Sequence, residues 1–177
     1  MAINRYGGGA KTNANGLRFE QETSLQDALE NEGYAILDDG TILDRYDNEL
    51  GLLAPKHNLY KRILKPNNIQ WELYISKKLL PDEALYNYTN NTIYIVEKKF
   101  QNSSGSVDEK LQSCVFKKQQ YQKLFRDLKC NVEYVFVCNN FFANKKYKDV
   151  HDFIFDNGCY IFFNEIPLDF FQLPYSH

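Results

Sequence analysis

The sequence predicts a single α/β (α+β) domain in which a mixed central β-sheet is flanked by helices. Three observations carry this reading. Two tight-turn signals, Asp39-Gly40 and Asn90-Asn91, each stand between short apolar runs, as in β-hairpins. The stretch from Ser106 to about Leu128 repeats apolar residues at helical spacing. After it an apolar run, a second helical stretch and a last apolar run alternate, so the order is helix, strands, long helix, strand, helix, strand, as in a mixed sheet flanked by helices. No internal repeat or composition break divides the chain, and 177 residues with 44% hydrophobic content suffice for one core.

Taken in order, residues 1–15 are rich in Gly and Asn and read as a flexible N-terminal arm, leaving 16–177 as the folded domain. From about Leu17 to Asn31, Phe19, Leu25, Ala28 and Leu29 fall near helical spacing, and Gly33 closes that helix. Tyr34–Leu37 and Thr41–Leu43 are the arms of the first hairpin. Residues 44–69 are mixed, with a short helix at Leu59–Leu64 stopped by Pro66. Gln70–Leu80 reads as a strand leading into Pro81-Asp82, and Glu83–Tyr88 with Thr92–Phe100 form the second hairpin. In its second arm the two-residue period puts Ile93, Ile95, Glu97 and Lys99 on one face. Ser106 caps the long helix, whose seam includes Val107, Leu111, Cys114, Tyr121, Leu124 and Leu128. Val132–Cys138 is a strand, Lys145–Phe155 a helix and Cys159–Phe163 a final strand.

Composition narrows the function classes. No apolar run approaches the roughly 18 residues that span a bilayer, and the first residues lack the apolar stretch of a secretory signal. A cytoplasmic location with reduced cysteines is the expectation. Cys114, Cys130, Cys138 and Cys159 are spaced 16, 8 and 21 apart without a Cys-x-x-Cys pair, which argues for core packing over zinc. His57, His151 and His177 lack metal-ligand spacing, which disfavours histidine-based nuclease chemistry. Tyr6–Thr12 resembles a phosphate loop only in its glycines, because Ala10 precedes Lys11 and no strand leads in. Lys11, Thr12 and Asn13 fit better on an arm that follows a DNA backbone. The net charge of −2 neither demands nor forbids a nucleic-acid partner, since local lysine clusters coexist with acidic sites.

One constellation carries chemistry. Pro81-Asp82 is followed, after fourteen residues, by Glu97-Lys98-Lys99. Phosphodiester hydrolysis profits from a metal ion that neutralises phosphate charge and acidifies an attacking water. Mg²⁺ prefers oxygen donors and keeps several waters, so two carboxylates on neighbouring antiparallel strands suffice. A lysine two residues beyond the second carboxylate shares its strand face, and its ammonium can assist the nucleophile and screen charge on phosphorus. Bare, the pattern also describes a turn aspartate beside an ordinary Glu/Lys alternation.

With its setting, the sequence resembles the PD-(D/E)XK nuclease superfamily, and especially its type II restriction endonucleases. Pro81-Asp82 and Glu97-x-Lys99 match the signature, and Gly16-Leu17-Arg18-Phe19-Glu20 looks like the family's first-helix motif. Glu97-Lys98-Lys99-Phe100-Gln101, then Gly105-Ser106-Val107-Asp108-Glu109-Lys110-Leu111, is similar to restriction-type members, and the element order matches their αβββαβ core. The resemblance covers residues 16–138 and makes 139–177 a peripheral helix and strand. It implies that Asp82 and Glu97 bind Mg²⁺, that Lys99 assists the nucleophile, and that Glu20 completes the acidic cluster, unless it is a plain helix-surface residue. Gln101 either orients Lys99 or the phosphate, or simply finishes a strand. Lys110 either contacts the DNA backbone or is a solvated helix residue, and the helix start at Ser106 directs N–H groups towards phosphate.

The implied activity is Mg²⁺-dependent hydrolysis of double-stranded DNA at a short sequence, leaving 5′-phosphate and 3′-hydroxyl ends. A homodimer is expected, because a two-fold protein reads a palindrome most simply. The alternatives are another nuclease of the superfamily, of junction-resolving or homing type, and a non-catalytic DNA-binding protein on the same fold.

Overall fold

The structure, a computed structural model, describes residues 17–18, 24–102 and 107–175. Glu20, Lys11, Thr12, Asn13 and Ser106 lie outside the described residues.

The elements follow the expected order of helix, strands, long helix, strand, helix and strand, with additions. β1 (Leu17–Arg18) pairs antiparallel with the distant β9 (Glu165–Ile166). α1 (Leu25–Asn31) begins after Ser24, whose hydroxyl accepts from Asp27 N–H while Asp27 accepts from Ser24 N–H. Such a reciprocal cap stabilises a helix start by about 1 kcal/mol. This corrects the helix expected from Leu17: the cap starts it at Leu25, and Leu17–Arg18 is extended.

The main sheet runs, in order, β2 (Ala35–Ile36), β3 (Thr41–Leu43), β4 (Glu49–Leu53), β5 (Glu83–Asn87), β6 (Thr92–Lys99), β7 (Asn131–Cys138) and β8 (Tyr160–Phe163). Pairing is antiparallel from β2 to β6 and parallel from β6 to β8, so the sheet is mixed. β4 lies within the stretch read as mixed from the sequence. It is buried almost end to end, and so lacks the alternation of a half-exposed strand. Gly51 at its centre lies so close to β5 that an added Cβ would stand 2.3 Å from the Tyr86 carbonyl oxygen.

The strand expected over Gln70–Leu80 is not one. β5 already occupies the neighbouring edge of β4, so this segment satisfies its N–H groups locally. Leu73 N and Tyr74 N donate to Gln70 O and Trp71 O in a 3₁₀ turn, Trp71–Leu73. Leu79 N donates to the Tyr60 hydroxyl on the helical segment Leu59–Leu64, which is π-type. The long helix is also segmented, into α2 (Val107–Lys110), a 3₁₀ turn and α3 (Cys114–Leu124). At the break Ser113 Oγ donates to Lys110 O, a side-chain bond back to the preceding turn. α4 (Lys148–Asp156) follows a 3₁₀ turn at Lys145–Tyr147.

Two cores sandwich the sheet. Ile93, Ile95, Tyr134 and Phe136 pack with α3, α4 and the 59–75 segment on what we call the front face. Tyr94, Val96, Val135 and Val137 pack with α1 on the back, where Phe170 and Phe171 are also buried. Residues 139–177 are therefore not merely peripheral: they supply a sheet strand and part of the back core. No helix among the described residues is long and apolar enough to cross a membrane.

Candidate active site

β5 and β6 are joined by the Asn90-Asn91 turn, in which Asn91 takes φ 52° and its side-chain oxygen accepts from Tyr86 Oη. A short polar side chain tolerates that left-handed backbone. The turn sets the register Glu83↔Val96, and one step further along the strands brings Asp82 beside Glu97. Asp82 Oδ2 accepts the backbone N–H of Lys98 at 2.8 Å, which pins its carboxylate to the end of β6. Ala84, two residues on, belongs to the front core, so Asp82 shares the front face with Glu97 and Lys99.

Glu97 is the centre of charge. Only 8% of its side chain is exposed, yet it carries two ammonium partners. Lys99 Nζ donates to Oε2 at 3.1 Å, and Lys117 Nζ, arriving from α3, stands 3.6 Å from Oε1. A carboxylate so far from water requires such pairing, because an unpaired buried charge is strongly destabilising. Lys117 is not among the site residues expected from the sequence, where it stands in the basic cluster Lys117, Lys118, Lys123 and Arg126. The helical period could have raised it: Lys117, Tyr121 and Leu124 are spaced four and three apart, and the latter two are core residues.

Aromatic rings floor the site. Tyr121 is buried, stacked on Phe125 at 6.1 Å and tilted against Tyr134 at 6.2 Å. Burial raises its phenol pKa, and the nearby Glu97, Tyr60 and Asp82 raise it further, so it stays neutral beside the carboxylates. Tyr134 is shifted upward in the same way, by burial first and then by Glu97. Its buried hydroxyl finds no hydrogen-bond partner among the described residues.

The remaining expected residues are placed differently. Gln101 is held by its backbone: its N–H donates to Asn139 Oδ1 at 3.2 Å and its carbonyl accepts from Asn139 Nδ2 at 2.7 Å. This clamp fixes the chain leaving β6 against the end of β7, just beyond Lys99. Lys110 is exposed at the end of α2 and forms no ion pair with Asp82 or Glu97. Asp82, Glu97 and Lys99 are thus brought together, Lys117 joins them, and Lys110 stays apart.

A divalent cation fits the donor set by its chemistry. Asp82 and Glu97 offer carboxylate oxygens on adjoining strands, and Mg²⁺ completes its shell with water. Among the described residues no group of three or more His, Cys, Asp or Glu gathers at one point. All four cysteines are free thiols, with Cys114, Cys138 and Cys159 in the core. No protein-family model, curated protein or solved structure matches this chain.

Proposed function

We propose that this chain is a Mg²⁺-dependent endonuclease of double-stranded DNA, of the PD-(D/E)XK type and acting as a type II restriction enzyme. One observation carries the reading. Asp82, just before β5 and held by the Lys98 N–H, meets Glu97 of the neighbouring antiparallel β6, with the Lys99 ammonium 3.1 Å from Glu97. Bound Mg²⁺ would supply Lewis acidity and lower the pKa of a water. The two carboxylates would hold it, and Lys99 would orient the attacking water and offset the charge that builds on the phosphate. Cation binding to Glu97 would release its ammonium partners towards the phosphodiester. The buried tyrosines keep bulk water from the back of the site and lower the local dielectric, which strengthens each of these interactions. A cytoplasmic location and a homodimer that sets one site against each strand belong to the same proposal.

Digestion of a sequenced plasmid with Mg²⁺, followed by mapping of the ends, tests it. Discrete bands with 5′-phosphate and 3′-hydroxyl ends are expected, lost in excess EDTA and lowered about 10²–10³-fold in Lys99→Ala. Undiminished cleavage by Lys99→Ala overturns the catalytic assignment. Cleavage confined to four-way junctions makes the enzyme a resolvase.

A further inference from the structure

Between β4 and β5 the chain makes a long excursion, residues 54–82, that packs on the front face of the sheet. Its apolar side chains Leu59, Tyr60, Ile63, Leu64, Ile69 and Ile75 join the core formed by Ile93 and Ile95, the strand residues that precede Glu97 and Lys99. Both of its ends are fastened beside Asp82: Ala54 N donates to Ala84 O, and Lys56 N donates to Pro81 O at 2.9 Å. Tyr60 bolts its middle to its tail, donating to Leu79 O and accepting from Leu79 N. Tyr74 Oη bonds Asp127 beyond α3, so the excursion is tied across the face.

Its charge is unlike that of the whole chain. Although the protein carries a net −2, residues 55–80 hold Lys56, Lys61, Arg62, Lys65, Lys77 and Lys78 against one acid, Glu72. Arg62 is committed inward, donating to Leu53 O and Asp38 O. The five lysines are exposed, and none of them is among the ion pairs of the described residues. Lys65 lines a surface hollow of about 390 Å³ walled by Tyr60 and Trp71. Lys78 holds its ammonium 5.0 and 5.2 Å above those two rings. Asn68 and Gln70 add uncharged hydrogen-bonding groups to the same rim.

From these observations we infer that the 54–82 excursion is the docking surface for the duplex, its lysines gripping the phosphate backbone of the strand delivered to Asp82 and Glu97. This rests on the nuclease reading, and it names the part of the molecule that reading leaves open. A polyanion is the occupant that an unpaired cationic surface selects. Rigid attachment beside Asp82 makes the bound strand the one presented to the carboxylates.

The test measures binding of a short random-sequence DNA duplex by fluorescence anisotropy across a salt series, with Ca²⁺ replacing Mg²⁺ to suppress cleavage. The triple variant Lys56→Gln/Lys65→Gln/Lys78→Gln is compared with Lys145→Gln/Lys148→Gln, which removes exposed lysines from the 3₁₀ turn before α4 and from the first residue of α4. Circular dichroism confirms that each is folded. The triple variant is expected to bind at least about tenfold more weakly, with a salt slope reduced by about two to three, one phosphate contact contributing about 0.9. The α4 variant is expected to bind within about twofold of the parent protein, the small change of two lysines lying outside the grip. An unchanged salt slope in the triple variant, or an equal loss in both variants, overturns the inference while parental binding keeps the nuclease reading alive. Failure of the parent protein to bind or cut any duplex sinks that reading instead. Tighter binding of an RNA duplex of the same length removes DNA as the partner.

Discussion

The two faces of β6 offer nearly the same ingredients and different chemistry. On the back, Lys98 Nζ lies 3.0 Å from Glu83, whose side chain is 10% exposed. On the front, Lys99 Nζ lies 3.1 Å from Glu97, whose side chain is 8% exposed. Distance and burial do not separate the pairs; their surroundings do. Glu83 also accepts the Leu25 N–H at the start of α1, so its oxygens serve to seat a helix on the sheet. Glu97 instead has a second carboxylate, Asp82, beside it and a second ammonium, Lys117, across from it. Two like charges brought together with two counter-charges are costly as architecture, and such clusters are candidates for functional sites. A buried ion pair by itself therefore says little, and the charges around it decide what it does.

Exchanging each glutamate for its amide breaks this comparison most directly. Glu97→Gln is expected to lower Mg²⁺-dependent cleavage by about three orders of magnitude, the scale of a principal electrostatic group. Glu83→Gln is expected to keep cleavage within about threefold and to lower stability by about 1–2 kcal/mol, or a few degrees of Tm. Plasmid digestion and thermal unfolding of both proteins read the two effects, and a reversed pattern would mean that the back pair is the site.

A subtler effect concerns Lys117. Under the proposed function Lys117 competes with the cation for Glu97, so Lys117→Met should lower kcat by about tenfold while reducing the half-saturating Mg²⁺ about two- to fivefold, the scale of a partly exposed ion pair. Lys117→Arg should restore both in part. A loss of kcat with no change in Mg²⁺ dependence would reduce Lys117 to a structural contact.

The smallest effect is on pH dependence away from the carboxylates. His151 is buried on α4, with Nε2 donating to Phe142 O at 2.8 Å. Burial lowers its pKa below the ordinary 6.5. The unfolded chain then binds the extra proton first, so this contribution to stability is present above pH 6.5 and is lost as pH falls below it. Urea unfolding between pH 5 and 7.5 should show that loss in the parent protein and a flatter profile in His151→Gln.

Much of the fold was legible because it is local. Asp39-Gly40 and Asn90-Asn91 mark their hairpins through backbone conformation, with Gly40 at φ 92° and Asn91 at φ 52°. The two-residue period of β6 separated Glu97 and Lys99 from Lys98 before any neighbour was known. β4 was hidden because both its faces are covered and Gly51 interrupts its apolar run. The 70–80 segment misled because Ile75, with Trp71, Tyr74 and Leu79 partly buried beside it, fills a core without sheet partners, which a pattern of hydrophobicity cannot distinguish from a strand.

The sequence alone determined the mixed α/β class, the hairpin that aligns Asp82 with Glu97, and the face that Lys99 shares with Glu97. These follow from turn chemistry and the pleat, which act over a few residues. Tertiary structure decided the rest: the parallel addition of β7 and β8, the placement of 54–82 on the front face, and the choice between two consecutive lysines on α3. Lys117 reaches Glu97, whereas Lys118 reaches Glu133 and the Gly158 carbonyl. Neighbouring helix residues point about 100° apart, so only the rotation of α3 against the sheet selects which ammonium enters the site.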